Sequence, residues 1–175
     1  MKEEIRKEYL LKRKNILNKE EKSEIIFQKI IHHEKYISSK GIAFYKNLKD
    51  EVSTQKLINY SLKIGKKVFL PKVEDNQLIF YQIFPNEKFI KSEFHVEEPI
   101  GDKSHKMDEK NLDLVIVPGV AFDSSLHRMG FGKGYYDRFL KDKRVYKIGI
   151  CFHEQYTDII PFDENDILMD EVIMD

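Results

Sequence analysis

Leu112-Asp-Leu-Val-Ile-Val-Pro118 is a near-continuous apolar run set between charged and turn-forming residues. A strand with one wet face alternates apolar and polar side chains, whereas a strand covered on both faces reads as an unbroken Val/Ile/Leu run. This stretch is therefore expected to be a central parallel strand. On its N-terminal side, Lys2 to Leu17 has neither Pro nor Gly and is rich in Glu, Lys, Leu and Arg, which predicts a first helix. Asn18 with Glu21 three positions on predicts the start of a second helix carrying Ile26, Ile30 and Ile31. Gly41 to Tyr45 reads as a short buried strand. Ser53 or Thr54 then caps a helix with Leu57, Ile58 and Leu62, ended by Gly65, and Lys67 to Leu70 forms the next strand. Gln77 to Phe84 returns as a hairpin-like third strand, and Pro85 to Asn111 reads as loop with one short strand near Phe94 to Val96. Beyond the apolar run come a Gly-rich loop, a helix from about Gly134 to Lys141, a strand over Val145 to Phe152 and a last one near Glu171 to Ile173. Strands alternating with helices predict an α/β fold: one domain over residues 1–175, with a mixed, largely parallel central sheet flanked by helices in a Rossmann-like three-layer architecture.

Composition narrows the function classes. A hydrophobic share of 41% with only 8 Gly and 5 Pro excludes collagen-like and wholly disordered readings. Thirty basic and 30 acidic residues cancel, which argues against a generally cationic nucleic-acid binder. No apolar run approaches a membrane span, the N-terminus is charged where a signal peptide needs an apolar core, and Cys151 has no disulfide partner. The expectation is a cytoplasmic monomer with no nucleic-acid or membrane partner. The 6 histidines include no zinc-ligand spacing and are expected at the surface, and Cys151 is read as a buried strand residue.

Plotted at 100° per residue with Lys2 at zero, Arg13 falls at about 20° and Arg6 at about 40°. Ile5, Tyr9 and Ile16 flank them on one side, Leu10 and Leu17 on the other, while Glu3, Glu4, Lys7, Glu8, Lys12 and Lys14 fill the remaining arc. The cationic stripe thus lies inside the apolar face. Either its stems cover the core while the heads snorkel to water, or an anionic, phosphate-bearing ligand meets them.

The densest motif is Arg128-Met-Gly-Phe-Gly-Lys-Gly-Tyr-Tyr-Asp-Arg138. Alternating glycines let backbone N–H groups approach an anion, the following helix start adds its positive dipole end, and Lys133 and Arg128 add full charges. The spacing is neither that of a Walker A loop nor G-x-G-x-x-G, and a plain tight turn is the alternative. Asp137 is either an acid favoured in a first helical turn or, if phosphates bind, a Mg²⁺ ligand.

The run Val117-Pro-Gly-Val-Ala-Phe-Asp123 followed by Arg128 to Asp137 resembles the signature of the 5-formyltetrahydrofolate cyclo-ligase (methenyltetrahydrofolate synthetase) family. Lys2-Glu-Glu-Ile-Arg6, the Tyr45 to Thr54 segment, Phe69-Leu-Pro71, Glu98-Pro99, Pro161 to Asp166 and Asp170-Glu171 follow in the family's order, so the likeness covers nearly the whole chain. Three positions depart from it: Leu126 where glycine is usual, Met129 where leucine is, and Phe131 where tyrosine or arginine is. A glycine at 126 could take positive φ, which leucine resists.

The resemblance implies an ATP- and Mg²⁺-dependent ligase converting 5-formyltetrahydrofolate, including polyglutamylated forms, to 5,10-methenyltetrahydrofolate. It implies ATP contacts at Lys2, Arg6, Arg128, Met129, Gly130, Phe131, Gly132, Lys133, Gly134, Tyr135 and Tyr136, with Lys133 and Arg128 at the transferring phosphate. Folate contacts are implied at Lys46, Glu51 and Arg6. The metal is implied at Asp137 and Asp166, with Asp163, Glu164 and Asp170 nearby. From composition alone Glu51 reads as an exposed loop acid. A non-catalytic nucleotide or folate binder on the same fold would need the glycine loop but not both aspartates.

Overall fold

The computed structural model describes residues 1–175. Helices α1 (Lys2–Lys14), α2 (Lys19–Ile31) and α3 (Glu34–Ser38) precede strand β1 (Gly41–Ala43). Helix α4 (Gln55–Lys63) then leads to β2 (Lys67–Glu74), which turns through Asp75-Asn76 into β3 (Gln77–Ile83). A small ribbon follows, of β4 (Ile90–Lys91) and β5 (Glu97–Glu98), and then the predicted central strand β6 (Leu114–Val117). Strands β7 (Ala121–Asp123) and β8 (Arg128–Met129) flank a tight turn, and α5 (Tyr135–Leu140), β9 (Tyr146–Cys151), β10 (Tyr156–Thr157) and β11 (Glu171–Met174) complete the chain.

The main sheet has the order β11-β9-β6-β1-β2-β3, parallel throughout except for β3, which pairs antiparallel with β2. Every residue of β6 is buried. Its alternate side chains serve two cores, as its unbroken apolar run predicts. Leu114 and Ile116 join Ile148 and Ile150 of β9 against Ile26 and Ile30 of α2 and Leu57 and Ile58 of α4. Val115 and Val117 face the other way, onto Phe122, Leu140 of α5 and Met169. The three layers are thus α2, α3 and α4, then the sheet, then α5 together with the three-stranded sheet β10-β7-β8. Helices thus flank the sheet on both faces, as expected, with the small sheet sharing the second flank with α5. Helix α1 packs its Tyr9 with Val120, Ala121, Met129 and Ile160 beside that small sheet.

Several local expectations need correction. Helix α1 stops at Lys14 rather than Leu17. Asn18 does precede α2, but in the left-handed region and with no side-chain cap. Thr54 precedes α4, yet its hydroxyl donates to the Tyr45 carbonyl oxygen instead of capping. The expected strand at Phe94 to Val96 is the turn between β4 and β5, with His95 at φ 58. Strand β2 runs through Pro71 because β1 ends at Ala43, opposite Phe69, leaving one side of Pro71 without a neighbouring strand. Asp75 and Asn76 both take positive φ, the requirement of a type I′ hairpin turn. No helix is long and apolar enough to cross a membrane.

The turn questioned at Leu126 does take the conformation that leucine resists, with φ 69. Asp123, itself 1% exposed, holds it there: Oδ1 accepts from the Ser125 and His127 N–H groups at 3.0 and 2.9 Å. Oδ2 accepts from the Ile160 N–H at 2.8 Å, so one carboxylate ties the turn to the C-terminal segment. His127 stands 3.1 Å from the same oxygen and stacks on Phe162 with 4.0 Å between ring centroids, and is therefore not the surface residue expected.

Candidate active site

In the main sheet β1 lies between β2 and β6, both parallel to it, so the strand order reverses there: the chain goes from β1 to β2 on one side and later adds β6 on the other. The carboxyl ends of two such strands leave a crevice, the usual ligand position in open α/β sheets. Tyr45, Lys46 and Glu51 follow β1, Pro118 and Gly119 follow β6, and all five line one cavity of about 1200 Å³. That exceeds the roughly 300–1,000 Å³ of a typical single-ligand pocket. Two substrates of moderate size can share it.

The glycine block forms one wall. Gly130, Phe131, Gly132, Lys133, Gly134, Tyr135, Tyr136 and Asp137 all reach the cavity. Gly132 and Gly134 take φ of +97 and +68, a region costly to side-chain-bearing residues, and Gly134 sits directly before α5. Met129 is the exception, fully buried beneath the block with Tyr9 and Ile160, so the expected ATP contact at Met129 is a core residue instead. With only 6 residues, α5 adds little beyond its first-turn N–H groups. Full charges dominate here. The Lys133 ammonium is free of protein partners and only its carbonyl is engaged, accepting from Arg138 at 2.8 Å. Arg128 is buried, donates to the Pro118 carbonyl at 3.2 Å and to Asp137 Oδ2 at 3.3 Å, and lies over the Tyr136 ring.

Helix α1 presents the face read from its periodicity. Tyr9 and Arg13 are buried, Lys2, Ile5, Arg6 and Leu10 half-buried, and Glu3, Glu4, Lys7, Glu8, Lys12 and Lys14 exposed; beyond the end of the helix Ile16 is still buried, but Leu17, expected beside this face, is exposed. Its inward cations do meet protein acids, most of them from distant segments that the helical wheel could not reveal. Lys2 donates to Asp166 Oδ2 at 2.7 Å and lies 3.5 Å from Asp163, Arg6 pairs with Glu3, and Arg13 approaches Glu51 at 3.7 Å. Arg6 also donates from Nε to the Gly130 carbonyl at 2.9 Å.

Glu51 is the largest departure from the composition-based reading, being only 8% exposed. Its Oε2 accepts from the Leu48 N–H at 2.7 Å. Burial raises its carboxyl above the ordinary 4.5, while the Leu48 N–H and the Arg13 charge pull the other way. Burial raises the neighbouring Tyr136 phenol as well, and the Glu51 charge adds to that. Lys46 is held between Gln55 at 2.9 Å and Glu97 at 3.1 Å, linking the loop after β1 to the β4–β5 ribbon. The same ribbon contributes Phe94, Val96 and Glu98 to the cavity, and Glu98 accepts from the Val73 N–H at 2.8 Å. With Pro71, Val73 and Leu78, Phe94 and Val96 form an apolar wall that the sequence reading missed. The hint available was two apolar strands joined by a tight turn.

The two candidate metal ligands both border the cavity. Asp137 Oδ1 accepts from the Ile167 N–H at 3.1 Å, and Asp166 Oδ2 accepts from the Asp163 N–H at 3.0 Å as well as from Lys2. No three acidic, His or Cys side chains converge. The donors are hard carboxylate oxygens, which suit Mg²⁺ held by one or two carboxylates with phosphates and water completing the octahedron.

The model of the 5-formyltetrahydrofolate cyclo-ligase family matches residues 1–175. A relative in Mus musculus, 5-formyltetrahydrofolate cyclo-ligase, is 33% identical over 162 residues, covering 85% of this chain and 80% of that one. A probable 5-formyltetrahydrofolate cyclo-ligase of Schizosaccharomyces pombe is 35% identical over 165 residues, covering 85% and 81%. Among solved structures, the 5,10-methenyltetrahydrofolate synthetase of Aquifex aeolicus superposes with TM-score 0.86 at 35% identity, covering 98% of this chain and 88% of that one. The 5,10-methenyltetrahydrofolate synthetase of Mycoplasma pneumoniae gives TM-score 0.79 at 28% identity, covering 99% and 98%. The chain belongs to the 5-formyltetrahydrofolate cyclo-ligase family.

Proposed function

We propose that this member of the cyclo-ligase family closes the ring of 5-formyltetrahydrofolate at the expense of ATP, giving 5,10-methenyltetrahydrofolate, ADP and phosphate. The observation carrying the reading is the meeting, in one cavity, of the cationic glycine block with a buried carboxylate, Glu51, from the loop after β1. The first suits nucleotide phosphates. The second suits the donor edge of a pterin, since a carboxylate accepts two parallel N–H hydrogen bonds.

The formyl oxygen attacks the γ-phosphorus, the P–O bond to ADP breaks, and an imidate phosphate forms. The anilino nitrogen N10 then attacks the formyl carbon and loses its proton, and the C–O bond breaks as phosphate leaves. Neither step needs a covalent protein nucleophile. The chain's work is positioning and charge stabilisation: Lys133, with no competing protein partner, meets the transferring phosphoryl group, and Arg128 supports it from the wall. Arg6 and Lys2 bind along the nucleotide phosphates from α1. Asp137 and Asp166 would hold Mg²⁺, which neutralises phosphate charge when bound. Lys2 then exchanges its aspartate partner for a phosphate oxygen, so neither charge is left bare.

The test is the growth of methenyltetrahydrofolate absorbance with purified protein, 5-formyltetrahydrofolate, ATP and Mg²⁺, each omitted in turn. Product should need all four. Tight folate and nucleotide binding without any turnover would instead support a binding protein.

A further inference from the structure

Arg13 is the one buried cation of α1 that does not line the cavity. Its side chain is 4% exposed, and its Nε and Nη1 are buried with no hydrogen-bond partner. Buried guanidinium donors are ordinarily satisfied, so this pair of orphans needs a reason. Two groups face the guanidinium. On one side Glu51 Oε1 stands 3.7 Å from Nη1, an ion-pair distance too long for a hydrogen bond. On the other the Phe131 ring, in the glycine block, lies 5.2 Å away and covers its face.

A pair built for stability would be short and bidentate, and even then apolar residues of similar volume generally serve a core as well. The property left for this arginine to supply is its charge, delivered to one carboxylate. We propose that Arg13 is a positioning residue for folate recognition: from behind the cavity wall it keeps the Glu51 carboxylate charged and aimed at the pterin. The proposal rests on the reading of Glu51 as the folate carboxylate.

The surroundings of Glu51 make the role necessary. Burial favours its neutral form, and Asp50 nearby adds to that. The phenols of Tyr45 and Tyr136 also face it, and both are pushed toward their neutral forms. Only the Leu48 N–H and Arg13 favour the carboxylate, and Arg13 is the only full positive charge doing so. Lys46, close in sequence, is instead committed to Gln55 and Glu97. A protonated Glu51 would present one donor where the pterin edge needs two acceptors.

The experiment measures 5-formyltetrahydrofolate and ATP affinities separately for Arg13→Met, Arg13→Lys, Glu51→Gln and the double variant Arg13→Met/Glu51→Gln, between about pH 6 and pH 9. Arg13→Gln provides a second neutral variant should Arg13→Met not fold. Each folate affinity is read as its ratio to the unsubstituted protein at the same pH. Loss of the charge should weaken folate binding roughly tenfold at neutral pH, the size of one lost charge-assisted contact, with ATP affinity within about twofold. The defect should shrink as pH rises and Glu51 ionises unaided. Arg13→Lys should recover most of the affinity, and Arg13→Met should add nothing in the Glu51→Gln background. A pH-independent defect, an equal loss of ATP affinity, or an Arg13→Lys as impaired as the neutral variants would overturn the proposal and leave Arg13 a packing residue. If Glu51→Gln itself binds folate normally, the reading of Glu51 fails as well, a result distinguishable from failure of the Arg13 coupling alone.

Discussion

Arg6 Nε donates to the Gly130 carbonyl oxygen over 2.9 Å, joining the first helix to the glycine block across 124 positions of sequence. The bond leaves the rest of the guanidinium at the cavity, where its protein partner is the exposed carboxylate of Glu3. Arg6 therefore has a structural bond and a charge that a ligand can recruit.

Arg6→Ala should raise the ATP dissociation constant by roughly tenfold, the cost of about 1.4 kcal/mol for one charge-assisted contact. It should also lower the melting temperature by a few degrees, because the Gly130 carbonyl loses its donor. Calorimetry with ATP and a thermal melt separate the two effects. Unchanged ATP affinity beside a large fall in melting temperature would make Arg6 purely structural.

Lys133→Ala should remove most turnover while leaving circular dichroism and melting temperature as they were. The side chain is exposed and its ammonium touches no protein group, so the folded state loses nothing by its absence. A loss on the order of a hundredfold or more in kcat is expected for one charge at a developing transition state. Normal turnover would sink the assignment of the block as a phosphate cradle.

Asp137→Asn should raise the Mg²⁺ concentration needed for half-maximal rate, since an amide oxygen carries no formal charge to hold a hard cation. The amide can still accept from the Ile167 N–H, so the local fold should persist. A metal titration matching the unsubstituted protein would reduce Asp137 to the partner of Arg128 seen across 3.3 Å.

Acid should loosen the C-terminus first. Lys22 of α2 pairs with Glu154 at 2.8 Å and with Asp175 at 3.0 Å, just past β11. Both carboxyls lie below their ordinary values of 4.5 and 3.8: burial acts to raise each, but the hydrogen bond and charge of Lys22 with a backbone N–H outweigh it at Glu154, and the His153 N–H with Lys22 outweigh it at Asp175. A depressed folded value means stability that is present above the unfolded value and is lost as pH falls through the folded one. Lys22→Met should therefore destabilise the protein at neutral pH by up to about 1 kcal/mol, these pairs being partly exposed. The difference should vanish on acidification below the carboxyl range. Denaturant melts at a series of pH values measure it, and a constant difference would mean that the lysine acts by packing alone.

What the residues determined alone is what period and spacing can encode. The unbroken run from Leu114 to Val117 specifies a strand with two dry faces, and the helical recurrence of Ile5, Tyr9 and Arg13 specifies which side of α1 turns inward. Alternating glycines around Lys133 likewise announce a backbone able to approach an anion. Each is a property of neighbours within two turns or one loop, so a single stretch of chain contains all the information. Family resemblance extended this to which residues are expected at the site.

Tertiary structure decided the rest. That Glu51 is buried follows from α1 crossing above it and supplying Arg13, a residue 38 positions earlier with no local pattern linking the two. That Lys2 already holds Asp166 follows from the C-terminal segment folding back through the Ile160 bond to Asp123. The apolar wall of Pro71, Val73 and Phe94 exists only because β3 returns antiparallel and brings the ribbon after it over the cavity. Charge partners and ionisation depend on the reciprocal of distance and on local water content. Those quantities come from which distant segments meet, so no periodicity along the chain can encode them.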